Sequence, residues 1–257
     1  MESASTPFIV AHRGASHDAP ENTMAAFELA WQHKADAIET DIWMTLDGKL
    51  ACIHDRTTAR TADKKLDVTA SSFAQLRQVD AGLWKGKKWK GERIPSLPEV
   101  LGAVPKGRKL FVEVKEGPRS VPALINVIQD SSLSNDQVVV ISFSKEVVAA
   151  AKDIRPSMKV FLLVELRHDV NSGSWQASQD SLMKTMREIK ADGLSASASA
   201  CVNQDFVKAV HNAGFEFHVW TIDDENLAAR YCSIGVDSIT TNRPKAMREF
   251  IFKDTPN

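Results

Sequence analysis

Cysteine is scarce in the sequence. The three cysteines, Cys52, Cys201 and Cys232, are widely spaced, odd in number and free of any Cys-x-x-Cys pair. A disulfide framework needs an even set at regular spacing, and a structural zinc site needs closely spaced ligand pairs. The pattern therefore implies neither, and the three side chains are predicted to be buried as small apolar groups.

Long apolar runs and an excess of one charge are also missing. No run approaches the roughly 18 residues of a membrane-spanning helix, and the start, MESASTPFIVAHRG, lacks the basic and apolar segments of a secretion signal. The formal net charge is −1, so no overall positive field favours nucleic acid or an anionic membrane. We therefore predict a cytoplasmic protein with a small-molecule partner, without nucleic acid and without stable membrane association. The oligomeric state stays open.

The sequence does contain a regular alternation of strand-like and helix-like segments. Eight short apolar segments are predicted strands: 8–12, 37–41, 110–114, 138–142, 159–164, 193–197, 215–220 and 237–241. Helix-compatible segments lie between most of them, at 22–33, 121–131, 145–153, 180–190, 203–213 and 224–234. Strands and helices at this spacing form parallel βαβ units, and eight such units in 257 residues predict an α/β fold of the (β/α)8 TIM barrel class.

One stretch, residues 56–105, interrupts this alternation. It is polar, and its second half contains the run KGKKWKGERIP. We interpret it as a small insertion after the second barrel strand, over the C-terminal mouth of the barrel, within a single domain that covers residues 1–257. The basic run is interpreted as a solvated loop face rather than as a patch that steers anionic substrates.

The segment IETDIWMTLDGKLACIHD predicts a β-hairpin with ionisable groups on one face. Asp47-Gly48 is the strongest short-range signal for a two-residue turn of type I′, because both residues tolerate positive φ angles. That turn places Asp41 directly opposite His54. Glu39 lies two residues before Asp41 and points the same way. Taken alone, the segment fits a surface hairpin with solvated charges equally well.

Ionisable side chains recur where the predicted barrel strands end. Active sites of such barrels lie at the C-terminal ends of the strands. The second and third strands end in carboxylates, namely Glu39, Asp41 and Glu113. Three convergent carboxylates form a hard oxygen site for one divalent cation, Mg²⁺ or Ca²⁺, whereas the ligand spacing of a zinc site is missing.

Two histidines and two cationic side chains flank this predicted metal site. His12 and Arg13 follow the first strand, His54 follows the hairpin and Lys115 follows the third strand. A histidine pair can serve as general base and general acid near neutral pH, and fixed cations can clamp a phosphate. Each of these residues has an ordinary structural explanation when taken singly, and so has Trp220 at the end of the seventh strand. Their joint occurrence at one end of the barrel favours a functional site.

With these residues in place, the chain resembles the glycerophosphodiester phosphodiesterase family. AHRGASHDAPENT resembles the family's opening signature, and IETDIWMTLDGKLACIHD resembles its second block. Further matching segments are RT at 60–61, DAGLWKGKKWKGERIPSLPEVL, VEVK, ISF, VWT and GVDSITTNRP. The similarity spans residues 8–244. One departure is Asn242, where many relatives have Asp in a TDRP block, and it is expected to affect only a contact in the closing turn.

The resemblance implies a barrel with a small inserted region, one bound divalent metal, and hydrolysis of glycerophosphodiesters to glycerol 3-phosphate and an alcohol. The residues carried over by motif position are His12 and His54 as the acid and base pair, Glu39, Asp41 and Glu113 as metal ligands, Arg13 and Lys115 at the phosphate, and Trp220 as a wall of the pocket. Which histidine is the acid, which metal is bound and which alcohol is preferred stay open.

Two alternative functions remain at this stage. A related barrel phosphodiesterase that acts on lysophospholipids should need an apolar groove or a membrane-facing loop, and no long apolar loop is evident. A non-catalytic phosphate-binding barrel would keep the fold without the chemistry. The presence of both histidines and all three carboxylates counts against the second alternative.

Overall fold

The structure is a computed structural model that describes residues 6–166, 168–169, 174–175 and 178–253. Its strands are β1 Phe8–Ala11, β2 Ala37–Met44, β3 Leu50–Cys52, β4 Lys109–Val114, β5 Val138–Ser142, β6 Lys159–Val164, β7 His168–Asp169, β8 Ser174–Trp175, β9 Gly193–Ser197, β10 Glu216–Trp220 and β11 Ser238–Thr241. Its α-helices are α1 Met24–Gln32, α2 Phe73–Leu76, α3 Leu97–Gly102, α4 Val121–Gln129, α5 Lys145–Ile154, α6 Gln179–Glu188, α7 Gln204–Asn212, α8 Glu225–Ser233 and α9 Pro244–Ile251.

Eight parallel strands close into a barrel in the order β1, β2, β4, β5, β6, β9, β10 and β11. β11 pairs with β1, and β1 also pairs with β2 through Val10 and Ala37, so the ring has no gap. The predicted TIM barrel is therefore confirmed. All eight predicted strands and all six predicted helices are present. The largest difference is in the second strand, which continues to Met44 instead of ending at residue 41.

Alternation along each strand separates the barrel interior from the layer under the helices. In β4, Leu110 and Val112 pack in the main core against the helices, whereas Phe111 belongs to the cluster inside the barrel. Successive side chains of a strand point to opposite faces, so Glu113 points inward like Phe111. Burial of the outer apolar face fixes this register, and it thereby places a carboxylate at the inner end of the strand.

β2 and β3 form the predicted hairpin, but its register is one residue away from the prediction. Ile42 pairs with Cys52, and the Ile53 amide donates to the Asp41 carbonyl at 3.0 Å. Asp41 therefore lies opposite Ile53, and the prediction that it faces His54 was wrong.

The turn explains this shift. A type I′ turn needs positive φ at both Asp47 and Gly48, and only Gly48, at 74°, has it. The Thr45 amide donates to the Lys49 carbonyl at 2.8 Å, so the loop has three residues instead of two. One extra loop residue moves every later pair by one position.

β3 lies outside the ring, and the chain near residue 95 covers its outer edge. The Cys52 amide donates to the Pro95 carbonyl at 2.9 Å, and Ala51 forms an antiparallel bridge with Ser96. Cys52 is buried, as predicted, and burial raises the pKa of its thiol to about 12. Cys201 and Cys232 are only half-buried.

The stretch predicted as an insertion has a small core of its own. That core contains Val68, Leu76, Val79 and Ile94, and it packs against the hairpin. The last part of the stretch, α3, packs instead with the main core under the barrel helices. The Lys85 ammonium donates to a carbonyl of the loop after β1 at 2.7 Å, so the insertion lies beside the mouth of the barrel. The single-domain assignment stays a prediction.

Within residues 6–253, leaving out the parts of 167–177 that the structure does not describe, no helix is both long enough and apolar enough to cross a bilayer.

Candidate active site

The loop after β1 makes a tight turn that carries the first site residues. Gly14 has φ of 79°, and a Cβ at this position would lie 2.6 Å from the Ala26 carbonyl carbon, so only glycine fits. Arg13 also has positive φ, at 55°. The turn aims the Arg13 amide at Glu39, where it donates to the carboxylate at 2.9 Å.

Three carboxylates meet at the C-terminal ends of β2 and β4. One oxygen from each of Glu39, Asp41 and Glu113 lies within 4.8 Å of the other two, and all three residues are buried. Burial and the charges of Asp41 and Glu113 raise the pKa of Glu39 well above its ordinary value. Burial and the charge of Asp41 raise the pKa of Glu113 to about 7. The positive charge near these three carboxylates is therefore too small to keep all three ionised.

Polar groups around Asp41 hold the cluster in place. Asn22 donates to Asp41 Oδ2 at 2.8 Å, Arg13 Nε lies 3.2 Å from the same oxygen, and Lys115 Nζ lies 3.5 Å from Oδ1. Lys115 also donates to Glu113 at 2.7 Å. Burial would raise the pKa of the Asp41 carboxyl, but the Arg13 and Lys115 charges outweigh it and hold that pKa below its ordinary value.

Two oxygens of the cluster are left for a cation. Glu39 Oε1 and Asp41 Oδ1 are buried without a hydrogen-bond donor among the residues that the structure describes. Buried oxygens of this kind cost free energy unless something satisfies them. An all-oxygen donor set suits Mg²⁺ or Ca²⁺, so the residues present fit a hard divalent cation.

His12 is held in one tautomer by an amide. Its Nδ1 lies 2.8 Å from Asn242 Oδ1, while Asn242 Nδ2 donates to Asp223 at 2.6 Å. Because the amide oxygen can only accept, Nδ1 carries the proton and Nε2 keeps a free lone pair. Burial and the charge of Arg13 lower the pKa of His12 to about 4, so the ring is neutral at neutral pH.

The Asn242 contact differs from the sequence-based expectation. That expectation limited the effect of Asn242 to the closing turn, and it was wrong, because the side chain reaches His12. Ser16 Oγ also donates to Asn242 Oδ1, at 2.9 Å. The neutral amide therefore orients the histidine without bringing a negative charge to it.

His54 has a charged partner instead. Its Nδ1 lies 2.6 Å from Asp55 Oδ1, and Arg60 Nε donates to the other oxygen of Asp55 at 2.8 Å. Hydrogen bonds from Arg60 and His54 lower the pKa of Asp55 to about 2, so this carboxylate is ionised. Trp43 Nε1 donates to the His54 carbonyl at 2.9 Å and fixes the backbone there. β3 ends before His54, which explains why the ring reaches the site although the predicted register was wrong.

These residues surround one pocket of about 320 Å³. Its polar lining includes both histidines and the charged residues of the cluster, with Glu165 in addition. Its apolar lining includes Phe111, Ile141, Phe143, Leu163 and Trp220. The Phe143 and Trp220 rings meet edge to face at 5.7 Å between centroids, and Trp220 Nε1 donates to the Ser195 carbonyl at 3.2 Å. The pocket can therefore hold a small ligand with one anionic and one apolar side.

The structure brings all eight predicted site residues together. His12, Arg13, Glu39, His54, Glu113, Lys115 and Trp220 line the pocket, and Asp41 lies beneath it. Their roles stay predictions.

Sequence reasoning missed the polar partners that hold these residues: Glu21, Asn22, Asp55, Arg60 and Asp223. Glu21 and Asn22 stand in the PENT segment of the first motif, and Arg60 stands in the matching RT segment, so the resemblance to the family could have indicated a role for all three. Asp223 lies outside the matched segments, and nothing in the sequence indicated a role for it.

Comparisons with known proteins agree with this geometry. The model described as "Glycerophosphoryl diester phosphodiesterase family" matches residues 12–246. A Bacillus subtilis protein named glycerophosphodiester phosphodiesterase is 32% identical over 91% of this chain and 83% of its own length. A protein of the same name from Caldanaerobacter subterraneus subsp. tengcongensis is 30% identical over 95% of this chain and 98% of its own length. The solved structure of an Oleispira antarctica phosphodiesterase in complex with the product sn-glycerol-3-phosphate is similar, with a TM-score of 0.84 and 25% identity over 96% of this chain and 97% of that one.

Proposed function

Since the chain belongs to the glycerophosphoryl diester phosphodiesterase family, we propose that it hydrolyses glycerophosphodiesters to sn-glycerol 3-phosphate and an alcohol, with a divalent cation and the His12 and His54 pair. The observation that carries this proposal is the pocket that combines two histidines, two cationic side chains and an apolar lining with a cluster of three buried carboxylates. The sn-glycerol-3-phosphate bound to the Oleispira antarctica enzyme supports the product.

The cation would be held by Glu39, Asp41 and Glu113. When bound, it would neutralise charge on the phosphate oxygens and make the phosphorus more electrophilic. Arg13 and Lys115 would bind the phosphate beside it, because both already lie at the carboxylate cluster with their charges directed inward. Fixed positive charge in a water-poor pocket stabilises the extra negative charge of the transition state.

His12 would act as the general base. Its ring is neutral, and its proton is on Nδ1 because Asn242 accepts there, so Nε2 can take the proton of the attacking oxygen. A base must be unprotonated at the working pH, and the low pKa of His12 provides this condition.

His54 would act as the general acid. The ionised Asp55 accepts from Nδ1 and forms an ion pair with the ring whenever both ring nitrogens carry protons. The proton on Nε2 would then go to the alcohol oxygen as its bond to phosphorus breaks. An alkoxide is a poor leaving group, so this proton transfer lowers the barrier.

The reaction itself is tested with glycerophosphocholine. Purified protein with added Mg²⁺ or Ca²⁺ should release choline and sn-glycerol 3-phosphate in equal amounts, each measured with a coupled enzymatic assay. Release of phosphocholine and glycerol would place the cleaved bond on the other side of phosphorus. That result, or no release from any glycerophosphodiester in a panel, would contradict the proposal.

Lys115→Ala should lower kcat/KM by about 10 to 1000-fold, because it removes a charged contact to the phosphate in the transition state. The measurement is steady-state kinetics on glycerophosphocholine at saturating cation. Lys109→Ala is a matched control at the opposite end of the same strand, where the ammonium donates to the Asp136 carbonyl. Equal kinetics of the Lys115→Ala variant and the native enzyme would remove Lys115 from the phosphate site.

Trp220→Ala should weaken discrimination for the glycerol moiety. The indole belongs to the apolar lining of the pocket, and its strand, β10, lies across the barrel from β4, which Lys115 follows. Loss of this wall should change kcat/KM most for substrates that differ in the glycerol part. Competition between glycerophosphocholine and a choline phosphodiester without glycerol measures the effect. An unchanged substrate ranking would return Trp220 to a purely structural role.

A further inference from the structure

One guanidinium lies between two carboxylates at the rim of the pocket. Arg60 is the last residue of the short 3-10 helix Thr58–Arg60, at the beginning of the insertion. Its Nη1 and Nη2 donate to the two oxygens of Glu21 at 2.7 and 2.8 Å. Its Nε and Nη2 donate to the two oxygens of Asp55 at 2.8 and 3.3 Å. A planar fork can make such paired contacts, and a lysine ammonium cannot.

Each of these carboxylates also holds a residue of the proposed chemistry. Glu21 accepts from Arg13 Nη1 at 2.9 Å, and Asp55 accepts from His54 Nδ1 at 2.6 Å. Arg13 in turn lies beside Asp41. The contacts therefore form one continuous chain of hydrogen bonds and ion pairs from His54 to the carboxylate cluster, with Arg60 at its centre.

We propose that Arg60 is a positioning residue, which holds Arg13 and His54 in a fixed relation across the pocket through Glu21 and Asp55. This inference rests on the proposed function. Arg60 touches neither the pocket-facing atoms of His54 nor the carboxylate cluster, so it acts through its two partners.

The burial of Glu21 explains why the pocket needs this cation. The Glu21 side chain is only 12% exposed, and burial alone would raise the pKa of its carboxyl. Hydrogen bonds from Arg60 and the charge of Arg13 reverse this effect and hold that pKa below its ordinary value. Without Arg60, two neighbouring carboxylates would lose the positive charge between them, and both would be free to move away from their partners.

Arg60→Ala is the decisive variant. Misplacement of groups that do not touch the substrate can cost on the order of 10²-fold. We expect a loss of this size in kcat/KM for glycerophosphocholine, mainly in kcat. A nitrophenyl ester of glycerol 3-phosphate, which needs no acid, should lose less because it does not depend on His54.

Chemical rescue separates positioning from general instability. Millimolar guanidinium, far below the concentrations that unfold proteins, should restore part of the activity of Arg60→Ala. Arg56→Ala is the matched control, because Arg56 belongs to the same insertion and pairs with Asp67 at 3.1 Å, away from the pocket. It should keep native kinetics and show no response to guanidinium. Unchanged kinetics of Arg60→Ala, or an equal loss on both substrates without rescue, would overturn the proposal.

NMR spectroscopy tests the positioning role of Arg60 without any enzymatic turnover, and so independently of the proposed function. The proton on His54 Nδ1, bonded to Asp55, should give a slowly exchanging NMR signal in the native protein and in Arg56→Ala. The signal should disappear in Arg60→Ala if Arg60 holds Asp55 in place. A native enzyme inactive on every diester would contradict the proposed function, whereas persistence of this signal in Arg60→Ala would overturn the positioning role.

Discussion

His54→Ala is expected to slow hydrolysis of glycerophosphocholine by about 10² to 10⁴-fold, the usual contribution of a general acid. The same variant should lose much less on a nitrophenyl ester, because nitrophenolate leaves without a proton. His12→Ala should lose a similar factor on both substrates, since the attacking oxygen must lose its proton in either case. The contrast follows from the different partners of the two rings, a carboxylate for His54 and a neutral amide for His12.

The measurement is kcat/KM for both variants on both substrates at saturating cation. His17→Ala is a matched control, because this histidine is exposed and pairs with Asp18 outside the pocket. Equal losses for the two variants on both substrates would contradict the division into acid and base.

The pH profile offers a second readout of the same prediction. The base must be unprotonated, and the pKa of His12 is lowered to about 4, so kcat measured with the cation kept saturating at every pH should be retained below pH 6.5 and lost as the pH falls toward 4.

Removal of the divalent cation is expected to abolish turnover. Without the cation, the phosphate would lose the charge that neutralises its oxygens, and Glu39 and Glu113 would take up protons instead, because burial and neighbouring charge raise the pKa of both. Dialysis against EDTA should remove activity, and Mg²⁺ or Ca²⁺ should restore it. Glu113→Gln should raise the cation concentration needed for half of the maximal rate, while Glu188→Gln, on the exposed face of α6, should not. A full rate in EDTA, with no metal found by elemental analysis, would contradict this prediction.

Cation affinity should also depend on pH in a defined direction. The pKa of Glu113 is raised to about 7 in the cation-free protein, so this carboxyl is protonated below that pH and must release its proton when a cation binds. Affinity should therefore fall by at least about tenfold for each pH unit below about 7, because Glu39, whose pKa is also raised, must lose its proton as well. Calorimetric titration measures it, and the pH dependence should become weaker in Glu113→Gln.

Local pattern was sufficient to predict the barrel and most of the site. Each strand is a short apolar run, and every second residue of a barrel strand faces inward, so Glu39, Asp41 and Glu113 could be placed at one end before the structure was known. The hairpin register could not be placed in the same way. Its loop contains Asp47-Gly48, but only the glycine has positive φ, and the sequence does not distinguish a two-residue from a three-residue loop.

The partners that orient the site residues could not be predicted from the local sequence pattern. His12 and Asn242 are separated by 230 positions, and Arg60 and Glu21 by 39. Such contacts arise only when the barrel closes and the insertion packs beside its mouth, and no periodicity in the sequence encodes them. This is why Asn242 could be recognised as a departure from the family pattern, while its effect on His12 could not.

The position of β3 has a consequence for the solubility of shortened forms of the chain. A closed barrel has no free strand edge, but β3 adds one, and an uncovered edge is a template for pairing with other chains. The contacts of Cys52 with Pro95 and of Ala51 with Ser96 cover that edge. The insertion thus protects the protein against edge-to-edge aggregation. A deletion that removed Pro95 and Ser96 would leave the barrel folded around its site but with the β3 edge exposed and prone to aggregation.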